Sequence, residues 1–120
     1  MLFNAPSTRV DRDVVIKGQT VSVRGTLKEL SIAGVGVESP KKASPGTRIE
    51  VIFEIPAKGY FRELEIAGFI RHVHNTHSGF YLTLEFESIS EQQKEYIEDF
   101  IDYKKRLREL GKRTHHAENG

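Results

Sequence analysis

The fold is decided by one stretch of the sequence, Leu27-Lys28-Glu29-Leu30-Ser31-Ile32-Ala33-Gly34-Val35-Gly36-Val37. Polar residues lead into it, and a serine and a glycine precede a new apolar run that starts at Val35. The Ser31 hydroxyl can hydrogen-bond neighbouring backbone groups, and Gly34 can take a positive φ or allow another group to approach closely. The stretch therefore predicts a corner between two strands. Such a corner suits a phosphate or the edge of a base, and it equally suits a turn that binds nothing.

On both sides of this corner, apolar and polar residues alternate with the period of two that is typical of half-buried strands. The clearest alternations lie at residues 21–28, 49–55 and 80–86. Short groups of turn-forming residues separate the runs, as at residues 75–79. Six strands at this spacing, with no helix between them, predict a small antiparallel barrel, which also removes free strand edges.

The period changes near the end of the chain. The residues of a capping box stand at Ser90-Glu91-Gln92-Gln93, where the serine and the glutamine can each accept a hydrogen bond from the other's backbone amide. The residues that then recur with the spacing of a helix face are Ile97, Phe100, Ile101, Lys104 and Leu107. Gly111 stands where a C-cap glycine is expected. The sequence therefore predicts one C-terminal helix over about residues 90–110.

The chain of 120 residues is long enough for one ordinary domain and too short for two. Residues 1–8 are predicted to be a flexible lead-in, residues 9–111 the barrel with its helix, and residues 112–120 a flexible tail.

The composition excludes several classes of protein. The chain has no cysteine, which excludes a disulfide scaffold and fits a cytoplasmic location. No apolar run is long enough for membrane insertion, and the first residues lack the pattern of a signal peptide. The formal net charge of +1 gives no strong attraction to nucleic acid, although Tyr60, Phe61 and Arg62 group aromatic and basic side chains. We therefore expect no nucleic acid among its partners.

Neither catalysis nor metal binding is predicted. The sequence has no Gly-x-Ser-x-Gly elbow and no P-loop. His72, His74 and His77 lie close together, but no aspartate or glutamate in the same loop completes a zinc site. The sequence therefore predicts a protein that is not an enzyme and holds no metal.

The corner also resembles a known motif. Glu29-Leu30-Ser31-Ile32-Ala33-Gly34 is similar to the Asp/Asn-x-Ser-x-x-Gly motif of the PilZ family, the bacterial cyclic-di-GMP receptor domains. The strands and terminal helix that follow are similar as well, so the resemblance covers roughly residues 9 to 107. It implies an all-β fold with one terminal helix, namely a six-stranded antiparallel PilZ-like β-barrel followed by a C-terminal α-helix. Cyclic di-GMP would bind on the outer face of this barrel.

The resemblance also implies a set of ligand-binding residues: Arg9, Arg12, Glu29, Ser31 and Gly34. Arginine suits this ligand because its guanidinium forks onto phosphate oxygens or onto guanine. The family carries Arg-x-x-x-Arg, whereas this chain has Arg9-Val10-Asp11-Arg12, which is one residue shorter, and Glu29 replaces the usual aspartate or asparagine. Residues three apart in an extended strand point to opposite faces, so both arginines reach one ligand only if the strand bends.

The resemblance implies a non-catalytic second-messenger receptor that binds cyclic di-GMP and signals to an unidentified protein effector. The altered arginine spacing favours an alternative, a degenerate PilZ-like protein-interaction module related to motility or pili that does not bind the nucleotide. Both a monomer and a homodimer stay open, because Tyr96, Tyr103 and Leu110 flank the apolar stripe of the predicted helix.

Overall fold

A computed structural model of the chain describes residues 1–119, and the side chains of residues 1–111. The elements are β1 (Ser7–Lys17), β2 (Ser22–Ser31), β3 (Gly34–Ser39), β4 (Arg48–Ala57), β5 (Tyr60–Thr76), β6 (Gly79–Phe86) and α1 (Glu91–Asn119). All neighbouring strands are antiparallel, and the ring closes in the order β1-β2-β3-β6-β5-β4. The predicted six-stranded antiparallel barrel with one C-terminal helix is confirmed.

The inward-facing residues of the strands fill the barrel. The apolar side chains with 0% exposure are Ile97 of α1 and, on the strands, Leu27, Leu30, Val35, Val37, Val51, Ile55, Ile70 and Leu84. Complete burial of one such side chain contributes about 1.5–3 kcal/mol relative to leaving it in water. The alternation at residues 49–55 and 80–86 predicted the buried positions Val51, Ile55 and Leu84 correctly, because side chains on a strand alternate between its two faces. Phe80 and Phe86 are only half-buried, and Val21, in the alternation at residues 21–28, is 45% exposed.

Two bulges bend the sheet beside the corner. Arg9 pairs with Glu29 and Arg12 pairs with Leu27, so β1 uses three residues where β2 uses two. A second register shift, between β2 and β3, also falls between Leu27 and Glu29. Because an extra residue shifts the alternation, both Leu27 and Leu30 face the core although they are three residues apart.

The helix starts as the sequence predicts. The Gln93 amide donates to Ser90 Oγ and the Ser90 amide donates to Gln93 Oε1. Both donor–acceptor distances are 3.0 Å, which confirms the capping box. Ile97 and Phe100 are buried in the core, and α1 packs against β1, β2 and β4.

The helix does not end near residue 110 as predicted. It continues through Gly111 to Asn119. A glycine ends a helix when it takes a left-handed φ, and Gly111 is not among the residues with positive φ. The predicted tail of residues 112–120 falls where no side chain is described, and residue 120 lies outside the described residues. The domain boundaries therefore stay a prediction.

The first residues, predicted as a flexible lead-in, fold back on the barrel. The backbones of Leu2 and Ala5 hydrogen-bond to each other in both directions, at 3.3 and 3.0 Å. Between them, Phe3 and Asn4 have φ of 52° and 62°, as in a type I′ turn. Leu2 and Ala5 are both buried, and β1 already begins at Ser7.

Within residues 1–119, no helix has both the length and the apolarity that crossing a membrane requires.

Candidate functional site

The corner between β2 and β3 is organised by the hydroxyl of Ser31. This oxygen accepts hydrogen bonds from the amides of Ala33, at 3.0 Å, and Gly34, at 3.1 Å. It also lies 3.4 Å from the Gly34 carbonyl oxygen, to which it donates. Ser31 is 0% exposed. The predicted corner is therefore present, but its hydroxyl and two of its amides are bonded to one another and not to solvent.

Gly34 is required by close packing and not by its φ. It is not among the glycines with positive φ. A Cβ at this position would meet the Leu84 carbonyl oxygen and would lie 2.6 Å from the Phe3 ring. Of the two roles that the sequence left open for Gly34, close approach of another group is the one found. The groups that approach are the Leu84 carbonyl of β6 and the Phe3 ring of the N-terminal turn.

Glu29 lies on the outer face of the barrel beside the corner. Its carboxylate accepts a hydrogen bond of 2.7 Å from the Ser7 hydroxyl, and Arg9 is its cross-strand neighbour on β1. Burial and then the nearby Glu29 carboxylate raise the pKa of Tyr81 above its usual value near 10. Glu29 therefore joins β1, β2 and β6 on this face.

Gly36 makes room for Tyr81 on the same face. A Cβ on Gly36 would collide with the Tyr81 hydroxyl oxygen. Gly36 is the β3 neighbour of Glu29, so the Tyr81 ring crosses β3 towards the carboxylate. Gly36 is thus needed because it leaves space for the Tyr81 side chain on the outer face. The sequence did not indicate this role.

A cleft of about 320 Å³ opens beside Glu29. We call it the cationic cleft, and its lining residues are Ser7, Thr8, Arg9, Glu29, Lys104 and Arg108. Its volume lies at the lower end of the range for small-molecule sites. Three of its side chains are cationic and one is a carboxylate. Among residues 1–111, no ion pair involves any of these three cations. The cleft is suited to an anion that also offers hydrogen-bond donors to a carboxylate.

Arg12 is not in the cationic cleft. Its Nε donates to the Glu54 carbonyl oxygen at 2.7 Å, and its guanidinium lies 5.4 Å from the centre of the Phe61 ring. The Glu54 carbonyl follows directly after the last pair of β1 with β4, which is Val14 with Phe53. The bulge thus provides a bend in β1, but it does not bring Arg12 together with Arg9.

Of the predicted ligand residues, the structure places Arg9 and Glu29 in the cleft, and Ser31 and Gly34 in the adjacent corner. Sequence reasoning missed Lys104, Arg108 and Tyr81. The four-residue spacing of Lys104 and Arg108 predicts that they share one helix face. Their closeness to β1 was not predictable from the sequence, because it depends on how α1 lies across the barrel.

A second surface lies at the other edge of α1. We call it the aromatic patch, formed by Tyr60, Phe61 and Tyr103, which are 71%, 64% and 44% exposed. They border a cavity of about 510 Å³. The neighbouring Arg62 is engaged within the chain, because its guanidinium donates to the Ala57 carbonyl oxygen and lies over the Tyr60 and Tyr96 rings.

Histidine, cysteine, aspartate and glutamate form no group of three or more that could hold a metal among the described residues.

Comparison with known proteins identifies one family, and the solved structures that match this chain include the two that follow. The model of the PilZ domain matches residues 6–103. The inhibitor of motility from Bacillus subtilis (MotI/DgrA) is 21% identical with a TM-score of 0.74, over 94% of this chain and 54% of that one. The PilZ domain of YcgR from Escherichia coli, solved with c-di-GMP, is 13% identical with a TM-score of 0.68, over 91% and 96% of the two chains.

These two likenesses establish the fold alone, and this chain spans about half the length of the motility inhibitor. No significant match was found among the curated proteins.

Proposed function

The chain belongs to the PilZ domain family, and we propose that it is a cytoplasmic, non-catalytic receptor that binds cyclic di-GMP and signals to a protein partner. The structure of the YcgR domain carries this nucleotide, and MotI/DgrA is described as an inhibitor of motility. A motility component is therefore the partner class that we propose.

The cationic cleft is the observation that carries the proposal. Cyclic di-GMP has two phosphates and hence a charge of about −2, and the cleft offers three cations, without an ion-pair partner among residues 1–111, against one carboxylate. Arg9 can fork onto a phosphate or onto a guanine edge. The Glu29 carboxylate can accept from the amino group of guanine. Both kinds of ligand group thus have a matching group within one cleft.

The residues of the predicted set take different roles in this proposal. Arg9 and Glu29 contact the ligand, because both line the cleft. Ser31 and Gly34 hold the corner that positions Glu29, since the Ser31 hydroxyl is already bonded within the corner and Phe3 covers Gly34. Arg12 anchors β1 to the Glu54 carbonyl and does not reach the ligand.

The alternative is a PilZ domain that binds protein partners and not the nucleotide. It is favoured by the closed corner and by the engagement of Arg12 with Glu54 and Phe61. The aromatic patch would then be the working surface, since exposed apolar groups of this kind often mark contacts with other proteins.

Isothermal titration calorimetry separates the two functions. The protein, at about 100 μM, is titrated with cyclic di-GMP and, as a control for guanine recognition, with cyclic di-AMP. We expect saturable binding of cyclic di-GMP at one cleft, with a Kd in the micromolar range or below, and much weaker binding of cyclic di-AMP. Absence of heat with cyclic di-GMP at this concentration refutes the receptor and leaves the protein-binding module.

A further inference from the structure

We infer that Lys104 and Arg108 of α1 are phosphate-binding residues for the cyclic dinucleotide, in place of the second arginine that the lead-in does not supply. This inference rests on the proposed function and extends it to the terminal helix. Both side chains line the cationic cleft together with Arg9 and Glu29.

The position of the two residues in the helix excludes one explanation for them, the interaction with the helix dipole. Cations are favoured in the last turn of a helix, where they interact with the helix dipole. Because α1 runs from Glu91 to Asn119, Lys104 and Arg108 lie well before its last turn. The dipole therefore gives no reason for cations at these two positions.

Among residues 1–111, no ion pair compensates the charge of these two side chains. Like charges four residues apart on a helix repel each other, and Arg9 adds a third positive charge from β1. The carboxylate in the cleft, Glu29, accepts its hydrogen bond from Ser7, and no ion pair joins it to the three cations within residues 1–111. Elsewhere on the surface, by contrast, Lys28 pairs with Asp11 at 3.3 Å. A dianion in the cleft would compensate the excess charge.

The cations of the cleft also lie on two sides of the ligand position. Arg9 approaches the cleft from β1, and Lys104 and Arg108 approach it from α1. Arg12 is held at the edge of β4 and leaves one arginine on the strand side. The two phosphates are thus contacted by cations of β1 and of α1. Binding or release of the ligand would therefore change the contacts of the helix directly.

The test compares two double variants that remove the same charge. Lys104→Gln with Arg108→Gln alters the cleft, and Lys105→Gln with Arg106→Gln alters neighbouring exposed residues that do not line it. Glutamine is polar and has nearly the same helix propensity as lysine and arginine, so both variants are expected to fold, as checked by urea unfolding. Titration with cyclic di-GMP should show a Kd roughly ten to a hundred times higher for the first variant and little change for the second.

Two results overturn the inference and are distinguishable from failure of the proposed function. If the unaltered protein binds and both variants lose affinity equally, only general electrostatic attraction is at work. If both variants bind like the unaltered protein, the helix does not contact the ligand. In both cases the receptor function stands. If the unaltered protein binds no cyclic di-GMP, the proposed function and the inference fall together.

Discussion

The corner Ser31–Gly34 and the cationic cleft are neighbours on the barrel, yet they differ in how far their polar groups are satisfied within the chain. In the corner, the hydroxyl of Ser31 bonds to two amides, and Phe3 covers Gly34. In the cleft, three cations have no ion-pair partner among the described residues, and they surround an open volume. A family motif can therefore supply the frame of a site while the open cleft beside it is lined by other residues.

The difference has an energetic meaning. A buried, fully bonded corner contributes to stability, because breaking it leaves polar groups unsatisfied away from water. Uncompensated surface cations contribute little or nothing to stability, but they strengthen binding of an anion. Changes in the corner should therefore lower stability first, and changes in the cleft should lower affinity first.

The largest effect on stability is expected at Gly34. Gly34→Ala places a Cβ against the Leu84 carbonyl oxygen and the Phe3 ring, so the backbone must shift. We expect a loss of about 1–3 kcal/mol in the free energy of unfolding, measured by urea denaturation. The matched control is Gly111→Ala, where a Cβ meets nothing within 4 Å and the helix should gain up to about 1 kcal/mol. Equal stability of Gly34→Ala and the unaltered protein would show that the corner is not tightly packed.

A smaller effect is expected at Ser31. Ser31→Ala leaves the amides of Ala33 and Gly34 without their acceptor, at a cost of about 1–2 kcal/mol. The same change at the exposed Ser78 should be close to neutral. If Ser31 only holds the corner and does not contact the ligand, the Kd for cyclic di-GMP should rise only a few-fold in Ser31→Ala at temperatures where this variant stays folded. A hundredfold loss of affinity with unchanged stability would instead make Ser31 a direct ligand contact.

The barrel and the start of its helix were predictable from the sequence because they depend on local patterns. The alternation at residues 49–55 and the capping box at Ser90 and Gln93 both specify structure over a few neighbouring residues. The end of the helix was not predictable in the same way. A glycine such as Gly111 permits a left-handed turn without requiring it.

The candidate site was predictable only in part, because it depends on contacts between distant segments. Glu29, Ser31 and Gly34 belong to one short motif that indicated them, and Arg9 was indicated by the arginine pair of the lead-in. Phe3 covers Gly34 because residues 3 and 4 form a turn with two positive φ values. Neither residue is a glycine, so the sequence did not indicate this turn. Likewise, the approach of α1 to β1 joins residues about a hundred positions apart in sequence, which no local pattern records.

The location of the ligand on the protein tests the cationic cleft as the binding site. Backbone amide signals are assigned by NMR and followed during titration with cyclic di-GMP. We predict that the amide signals of Arg9, Glu29 and Lys104 shift, while those of Tyr60 and Phe61 in the aromatic patch do not. Shifts confined to the aromatic patch, or no shift anywhere at saturating nucleotide, would contradict this prediction.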